Sequence, residues 1–234
     1  MDKTRLAVCL PGGGSPYFSS HKSNYKFIAE VFDGLGLDTI LIDYVGEGQW
    51  PIFNNGILIS QASQKVLNYL KDIKEPFVVY ARCLGTLVFF YLISNFNTPL
   101  STFCRKIVLW GMPSWDFMND LFSNKYRSIS GFNKDKAMLS GFMLHNDFYN
   151  EVLVLKEKLL SPSFRFDNID LYMATGYRDN QSDENFRQYI RSSLLESFRT
   201  VNCSTFDALH AEESLSEQSA NEFRALIKGI ILNE

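Results

Sequence analysis

The sequence predicts an α/β protein: a mostly parallel sheet of about six strands, covered by helices on both faces. Short apolar runs alternate along the chain with longer segments in which apolar residues recur at helical spacing. Most of these runs are continuously apolar, which is typical of parallel strands buried on both faces. The chain has 234 residues, a length that suits one such domain, so we expect a single domain over residues 1–234.

Each predicted strand ends at turn-forming or polar residues and is followed by a helical pattern or a loop. The first is closed by a Pro-Gly-Gly-Gly loop, the second by Asp43, the fourth by Gly111-Met112-Pro113 and the fifth by Thr175-Gly176. The third leads directly into a turn of small residues and then a helix. The predicted strands are 6–10, 39–42, 77–80, 106–110, 169–174 and 199–205. The predicted helices are 24–32, 57–73, 84–96, 183–195 and 215–232.

Residues 112–162 interrupt this alternation. The segment is too rich in aromatic side chains for a solvated loop and too long for a simple crossover. We expect a helical insertion that forms a lid over the strand ends, with Trp115 as a candidate substrate contact. The alternative interpretation is an enlarged crossover that packs on the sheet.

Charge and composition argue against several classes of function. The formal net charge is −3 and the isoelectric point is about 5.7, so the basic surplus that binds phosphate backbones is missing and no nucleic-acid partner is expected. No apolar run approaches the ~20 residues that a membrane-spanning helix needs. The N-terminal residues do not have the pattern of a secretory signal, so a cytoplasmic location is expected.

The four cysteines do not have the spacing of a zinc or redox site, so no metal or other cofactor is predicted. Cys9, Cys104 and Cys203 lie in or beside predicted strands, where a free cysteine acts as a small apolar residue. Only Cys83 lies at a turn. The sequence predicts no oligomeric state.

The segment Ala81-Arg82-Cys83-Leu84-Gly85 is the strongest functional signal. It follows an apolar strand and opens an apolar helix, and that arrangement around a tight turn is typical of a nucleophile elbow, whose usual pattern is G-x-S-x-G. Here a cysteine occupies the nucleophile position, and an alanine replaces the first glycine. Cys83 is therefore the candidate nucleophile, and a buried structural cysteine is the alternative interpretation.

Two further residues follow Cys83 in the order in which such sites place an acid and then a histidine. Asp179 comes after the fifth strand, where Gly176 is expected to let the chain turn, and His210 lies between the sixth strand and the last helix. Each has a structural alternative, because aspartate is common in turns and histidine can cap a loop. Asp116, after the fourth strand, is the alternative acid.

With these features in order, the chain resembles the α/β-hydrolase superfamily over nearly its whole length. Within that superfamily, Cys83-Leu84-Gly85 is similar to the elbow of the cysteine branch typified by dienelactone hydrolases. The resemblance implies a Cys83, His210 and Asp179 triad that cleaves an ester, thioester or lactone through an acyl-cysteine. Its substrate would be a small-molecule or carrier-bound acyl group.

The same resemblance implies two backbone donors for the oxyanion, from Leu84 and from Gly13 or its neighbours Gly12 and Gly14. The glycine loop also has an alternative interpretation as a phosphate cradle, although it lacks the G-x-G-x-x-G spacing. Arg82 either contacts a substrate anion or pairs with a nearby carboxylate.

Two other functions remain open at this point. An acyltransferase or cyclase would use the same acyl-cysteine if the aromatic insertion excludes water. A non-catalytic member of the fold would bind a ligand and keep Cys83 as a relic or as a redox sensor.

Overall fold

A six-stranded parallel sheet organises the part of the chain that the structure describes. In this computed structural model the described residues are 4–12, 25–42, 58–96, 103–122, 137–139, 142–144, 147–161, 163–182, 184–210 and 212–232. The sheet has the order β2-β1-β3-β4-β7-β8, and every neighbouring pair is parallel. Its strands are β1 (Leu6–Leu10), β2 (Asp38–Leu41), β3 (Phe77–Arg82), β4 (Cys104–Trp110), β7 (Phe166–Gly176) and β8 (Phe198–Phe206). The predicted fold class is thus confirmed.

Helices cover both faces of the sheet and divide the apolar core into two parts. One face carries α1 (Lys26–Asp33) and the closing helix α7 (Glu217–Leu232). The other carries α2 (Ile59–Leu70), α3 (Leu84–Asn95), α4 (Trp115–Phe122), α5 (Phe148–Leu159) and α6 (Glu184–Leu194). None of the helices in the described ranges is long and apolar enough to cross a membrane.

The helix α3 is buried on nearly all sides. Every residue from Leu84 to Phe90 is buried, because the helix lies between the sheet and the helices α2 and α5. A helix that is apolar all round is typical of such a central position. The burial fixes the first turn of α3, and with it the residue that precedes the helix, Cys83.

The described residues of the segment predicted as a helical insertion include two helices, α4 and α5, and two short strands between them. Two strands that were not predicted, β5 (Ala137–Leu139) and β6 (Phe142–Leu144), pair antiparallel there. Strands of three residues are too short for an alternating pattern to be recognised in the sequence.

The helix at the end of this segment, α5, belongs to the layer that covers the sheet. Its buried side chains Phe148, Val152, Leu155 and Leu159 join the core on the face of α2 and α3. This part of the segment therefore matches the crossover interpretation. Residues 123–136 lie outside the described residues, and the lid stays a prediction.

Candidate active site

The candidate site lies at the carboxyl ends of the strands, at the point where the connections of the sheet change direction. The strand β1 lies between β2 and β3, so the chain leaves β1 on one side and later returns on the other. Open α/β sheets bind ligands at such a switch point. The loops after β1 and β3 meet here, since a Cβ added at Gly12 would lie 2.9 Å from the Cβ of Cys83.

Cys83 occupies a strained turn between β3 and α3. Its φ is 50° and its ψ is −116°, and no other non-glycine residue in the described ranges has a positive φ. A side chain in such a conformation costs about 1–3 kcal/mol and is typical of functional sites. The turn is held by the Cys83 N–H, which donates to the Trp110 carbonyl at 2.9 Å, and by Thr86, whose N–H donates to the Cys83 carbonyl at 2.9 Å. The conformation is the one that a nucleophile elbow requires.

The residues after Cys83 bring the start of α3 against the end of β1. A Cβ added at Gly85 would lie 2.2 Å from the Leu10 carbonyl oxygen, so only glycine fits this contact. Leu84 is the first residue of α3, and the N–H groups of a first helical turn have no carbonyl partner within the helix. The Leu84 N–H therefore lies beside Cys83 as an available donor.

Asp179 and His210 are directly hydrogen-bonded. The imidazole Nδ1 lies 3.0 Å from Oδ1 and 2.9 Å from Oδ2 of a carboxylate whose side chain is 0% exposed. Two further donors hold that carboxylate: the Thr175 hydroxyl at 3.1 Å and the Gln181 N–H at 2.8 Å. With Nδ1 bonded to Asp179, Nε2 is the ring nitrogen left to exchange a proton with a nucleophile.

The imidazole of His210 also contacts the thiol of Cys83. Burial lowers the pKa of His210, but the charge of the Cys83 thiolate and the hydrogen bond that Nδ1–H donates to the Asp179 carboxylate outweigh burial. Together they raise the pKa of His210 from its ordinary 6.5 to about 10. This arrangement favours a thiolate and an imidazolium side by side at neutral pH.

The backbone of the histidine loop is packed against the ends of β4 and β7. The indole N–H of Trp110 donates to the His210 carbonyl at 2.8 Å. A Cβ at Gly176 would lie 2.2 Å from the carbonyl oxygens of both Ala208 and Leu209. The chain turns after Gly176, where the Asp179 N–H donates to the Gly176 carbonyl at 3.2 Å. The φ of Gly176 is not positive, and the glycine is needed because the histidine loop passes so close.

Arg82 forms an ion pair with a buried carboxylate. Its Nη1 lies 3.1 Å from Oε2 of Glu212, whose side chain is 0% exposed. The guanidinium also lies over the ring of Tyr25, 5.3 Å from the centroid, and the Tyr25 hydroxyl accepts a hydrogen bond of 2.6 Å from the Gly12 N–H. The pairing interpretation of Arg82 is thus the one that the structure contains, and the N–H of Gly12 is already bonded within the protein.

The remaining predicted residues lie farther from the nucleophile or outside the described residues. Trp115 packs edge-on against Phe186, with ring centroids 5.5 Å apart, and Asp116 is exposed in the first turn of α4. The structure thus brings Asp179, rather than Asp116, to His210. Gly13 and Gly14 lie outside the described residues, so the second oxyanion donor stays a prediction.

Two residues near the site were not predicted from the sequence. Gln181 follows the acid in its loop, and its Oε1 lies 3.9 Å from the Cys83 Sγ, while its carbonyl accepts the Ser114 N–H at 2.6 Å. Nothing in the local sequence distinguishes a glutamine that makes such a contact from any other glutamine in a turn. Glu212 had a weak signal, because a partly buried Arg82 needs a carboxylate partner.

The fold is similar to that of several solved structures, three of which are named as a hydrolase-domain protein, an esterase domain and a lipase. Alpha/beta hydrolase domain-containing protein 10 from mouse is 14% identical with a TM-score of 0.66, over 99% of this chain and 91% of that one. The esterase domain of a Rhodothermus marinus protein is 11% identical with a TM-score of 0.63, over 96% and 85%. A monoacylglycerol lipase from Paleococcus ferrophilus is 12% identical with a TM-score of 0.62, over 99% and 97%.

No family model matches the sequence, and no curated protein is significantly similar to it. At these low identities the structural likeness concerns the fold. Together with the sheet order and the strained turn after β3, it shows that the chain has the α/β-hydrolase fold.

Proposed function

We propose that the chain is a hydrolase that cleaves a small ester, thioester or lactone through an acyl-cysteine on Cys83. The observation that carries the proposal is the contact series from Asp179 through the His210 imidazole to a cysteine at a strained elbow. The names of the structural neighbours, which include an esterase and a lipase, give a second line of support. Placement in the cysteine branch similar to dienelactone hydrolases is part of the proposal and rests on Cys83-Leu84-Gly85.

The first half-reaction acylates Cys83. The thiolate, favoured by the helix N-terminus and by protonated His210, attacks the acyl carbon. The oxyanion that forms accepts a hydrogen bond from the Leu84 N–H and, as predicted, from Gly13. When the intermediate collapses, the bond to the leaving group breaks, and His210 gives its proton to that group.

The second half-reaction releases the acid. His210, now neutral, takes a proton from water as the water oxygen attacks the thioester carbon, and the carbon–sulfur bond breaks to return the Cys83 thiolate. Asp179 keeps the imidazole in the tautomer that both steps use. The cytoplasmic location that we expect would keep Cys83 reduced and available for this cycle.

The proposal is tested by intact-protein and peptide mass spectrometry after brief incubation with p-nitrophenyl acetate. We expect one acetyl group on Cys83 and release of p-nitrophenol in more than one turnover. The variant Cys203→Ser is the matched control, since Cys203 is an exposed thiol outside the triad, and it should keep both signals. Cys83→Ser should lose the cysteine adduct.

Two results would contradict this function. One is an adduct that forms on Cys203 alone, and the other is the absence of any adduct on Cys83 across activated acetyl, benzoyl and lactone donors. Addition of an amine or a thiol acceptor to the same assay separates hydrolysis from acyl transfer, because transfer would divert the product from the free acid to the amide or the new thioester.

A further inference from the structure

A cavity of about 370 Å³ lies between the helix α6 and the strands β4, β7 and β8. None of the triad residues lines it. Two of its lining residues, Thr175 and Ser182, stand on either side of the acid loop. Its volume lies within the range of about 300–1,000 Å³ that is typical of small-molecule sites.

The helix α6 contributes both apolar and polar side chains to the wall of the cavity. The apolar stripe of α6, Phe186, Ile190 and Leu194, is buried in the core. The adjoining stripe faces β8 and carries Arg187 and Arg191. A polar stripe does not close tightly on a strand, so space remains between them.

The floor of the cavity is formed by small and medium side chains in register on β7 and β8. Met173 lies beside Cys203, and Thr175 lies beside Thr205. Since paired residues of parallel strands point to the same face, all four side chains face α6.

The lining changes from apolar and buried at one end to polar and exposed at the other. Leu109, Met112 and Met173 form a buried apolar wall. Arg191 and Thr205 are exposed and form the mouth. A ligand that satisfies both ends must have an apolar body and a polar head.

The charges at the mouth determine which charge the polar head of a ligand should carry. Arg187 is engaged by Glu184, with Nη2 2.6 Å from Oε2, and by the Ser182 carbonyl. Arg191 makes no ion pair within the part of the chain that the structure describes. Its charge acts across the mouth on Cys203, where it opposes the burial that raises the pKa of that thiol. The pair Arg187 and Glu184 is neutral overall, so Arg191 leaves the mouth with a net positive charge.

We propose that this cavity is a second binding site, separate from the triad, for a small amphipathic carboxylate. The apolar body of the ligand packs against Met112 and Met173, and its carboxylate accepts hydrogen bonds from the Arg191 guanidinium and the Thr205 hydroxyl. The site does not depend on the reaction proposed for Cys83.

Cys203 supplies the reporter for a test in the variant Cys83→Ser, which lacks the proposed nucleophile. Cys9 and Cys104 are buried, so N-ethylmaleimide at mildly alkaline pH should label Cys203 first. We expect octanoate to slow this labelling several-fold, as measured by intact mass spectrometry, and 1-octanol to protect much less. The added substitution Arg191→Gln should remove most of the octanoate effect, whereas Arg165→Gln, at an exposed arginine before β7, should not.

Thermal unfolding of the same variants supplies an independent measurement, because a ligand that binds only the folded state raises Tm. Octanoate should raise the Tm of Cys83→Ser, and the rise should be lost in Cys83→Ser/Cys203→Phe, whose larger ring fills the cavity. Equal protection by octanol, equal protection in Arg191→Gln, or no effect of octanoate on either labelling or Tm would each overturn the proposal.

Discussion

Two buried carboxylates hold the loop that carries His210, and they do so in different ways. Asp179 and Glu212 both have side chains that are 0% exposed, and both pair with a cationic or basic partner. Asp179 bonds to the imidazole that contacts Cys83, whereas Glu212 bonds to Arg82, the residue just before Cys83. One pair therefore ends beside the Cys83 sulfur and the other at the residue whose backbone leads into Cys83.

The chemistry of the basic partner, imidazole or guanidinium, determines whether each pair can transfer a proton. An imidazole can give up a proton and take it back, so the pair of Asp179 and His210 can take part in proton transfer. A guanidinium stays charged, so the pair of Glu212 and Arg82 can only hold position. Similar burial and similar pairing thus give a pair that can exchange a proton in one case and a pair that can only hold position in the other.

The largest expected effect is on turnover, from Asp179→Asn. An amide cannot hold the imidazole in the required tautomer or stabilise its charged form, so kcat should fall by about 10³-fold or more. Steady-state hydrolysis of p-nitrophenyl acetate measures the change. The control is Asp116→Asn, at the exposed alternative acid, for which we expect a kcat close to that of the unchanged protein. A greater loss in Asp116→Asn than in Asp179→Asn would reverse the assignment of the acid.

The next largest effect is on stability, from Glu212→Gln. The change leaves the partly buried Arg82 guanidinium without its counter-charge, and loss of one partner of a buried pair costs about 3 kcal/mol. Urea unfolding measures it. The double variant Arg82→Met/Glu212→Gln should recover much of the loss, because no unpaired charge is left buried.

The kinetics of these variants separate positioning from catalysis. After correction for the folded fraction, Glu212→Gln should lower kcat far less than Asp179→Asn and leave the pH profile of kcat unchanged in shape. A shifted profile would mean that Glu212 takes part in the titration of the site, and the contrast between the two carboxylates would then be lost.

The smallest expected effect is a shift in the pKa of His210, caused by the substitution Cys83→Ser. In the unchanged protein the thiolate helps to raise the pKa of His210 to about 10, so removal of the thiolate should lower that pKa. NMR of the ring nitrogens over a pH series measures both midpoints. Identical midpoints would mean that His210 does not sense the sulfur.

The same titration has a consequence for stability. The pKa of His210 in the folded chain, about 10, lies above its ordinary value of 6.5. Protonation therefore stabilises the folded state, fully below about pH 6.5, and this contribution is lost as the pH rises through 10. The free energy of unfolding should fall over a narrower pH range in Cys83→Ser than in the unchanged protein.

Much of the fold was predictable because its elements are long and strongly patterned. The continuous apolar runs of β1, β3 and β4 and the closing helix α7 each appear in the sequence within a few residues of their bounds. The two strands β5 and β6 were not predicted, since three residues give no measurable period. The turn after Gly176 was predicted, but the close packing of Gly176 against the histidine loop was not, because contact with a distant loop leaves no local trace in the sequence.

For the site, chain order alone indicated Cys83, Asp179 and His210. The turn residues, the strand before each and the order of the three residues are local features, and local features are what a sequence expresses directly. Contacts between distant parts of the chain required the tertiary structure. Only the fold brings Asp179 rather than Asp116 to the imidazole, and only the fold turns Arg82 toward Glu212.

The sequence by itself determined the type of fold, the turn at Cys83 and the order of Cys83, Asp179 and His210, because apolar periodicity and turn residues act over a few neighbours. The tertiary structure decided which carboxylate contacts the imidazole of His210 and which pairs with Arg82. It also left the cavity under α6 open at the edge of the sheet. These outcomes depend on distances between residues far apart in the chain, and such distances exist only once the sheet has formed.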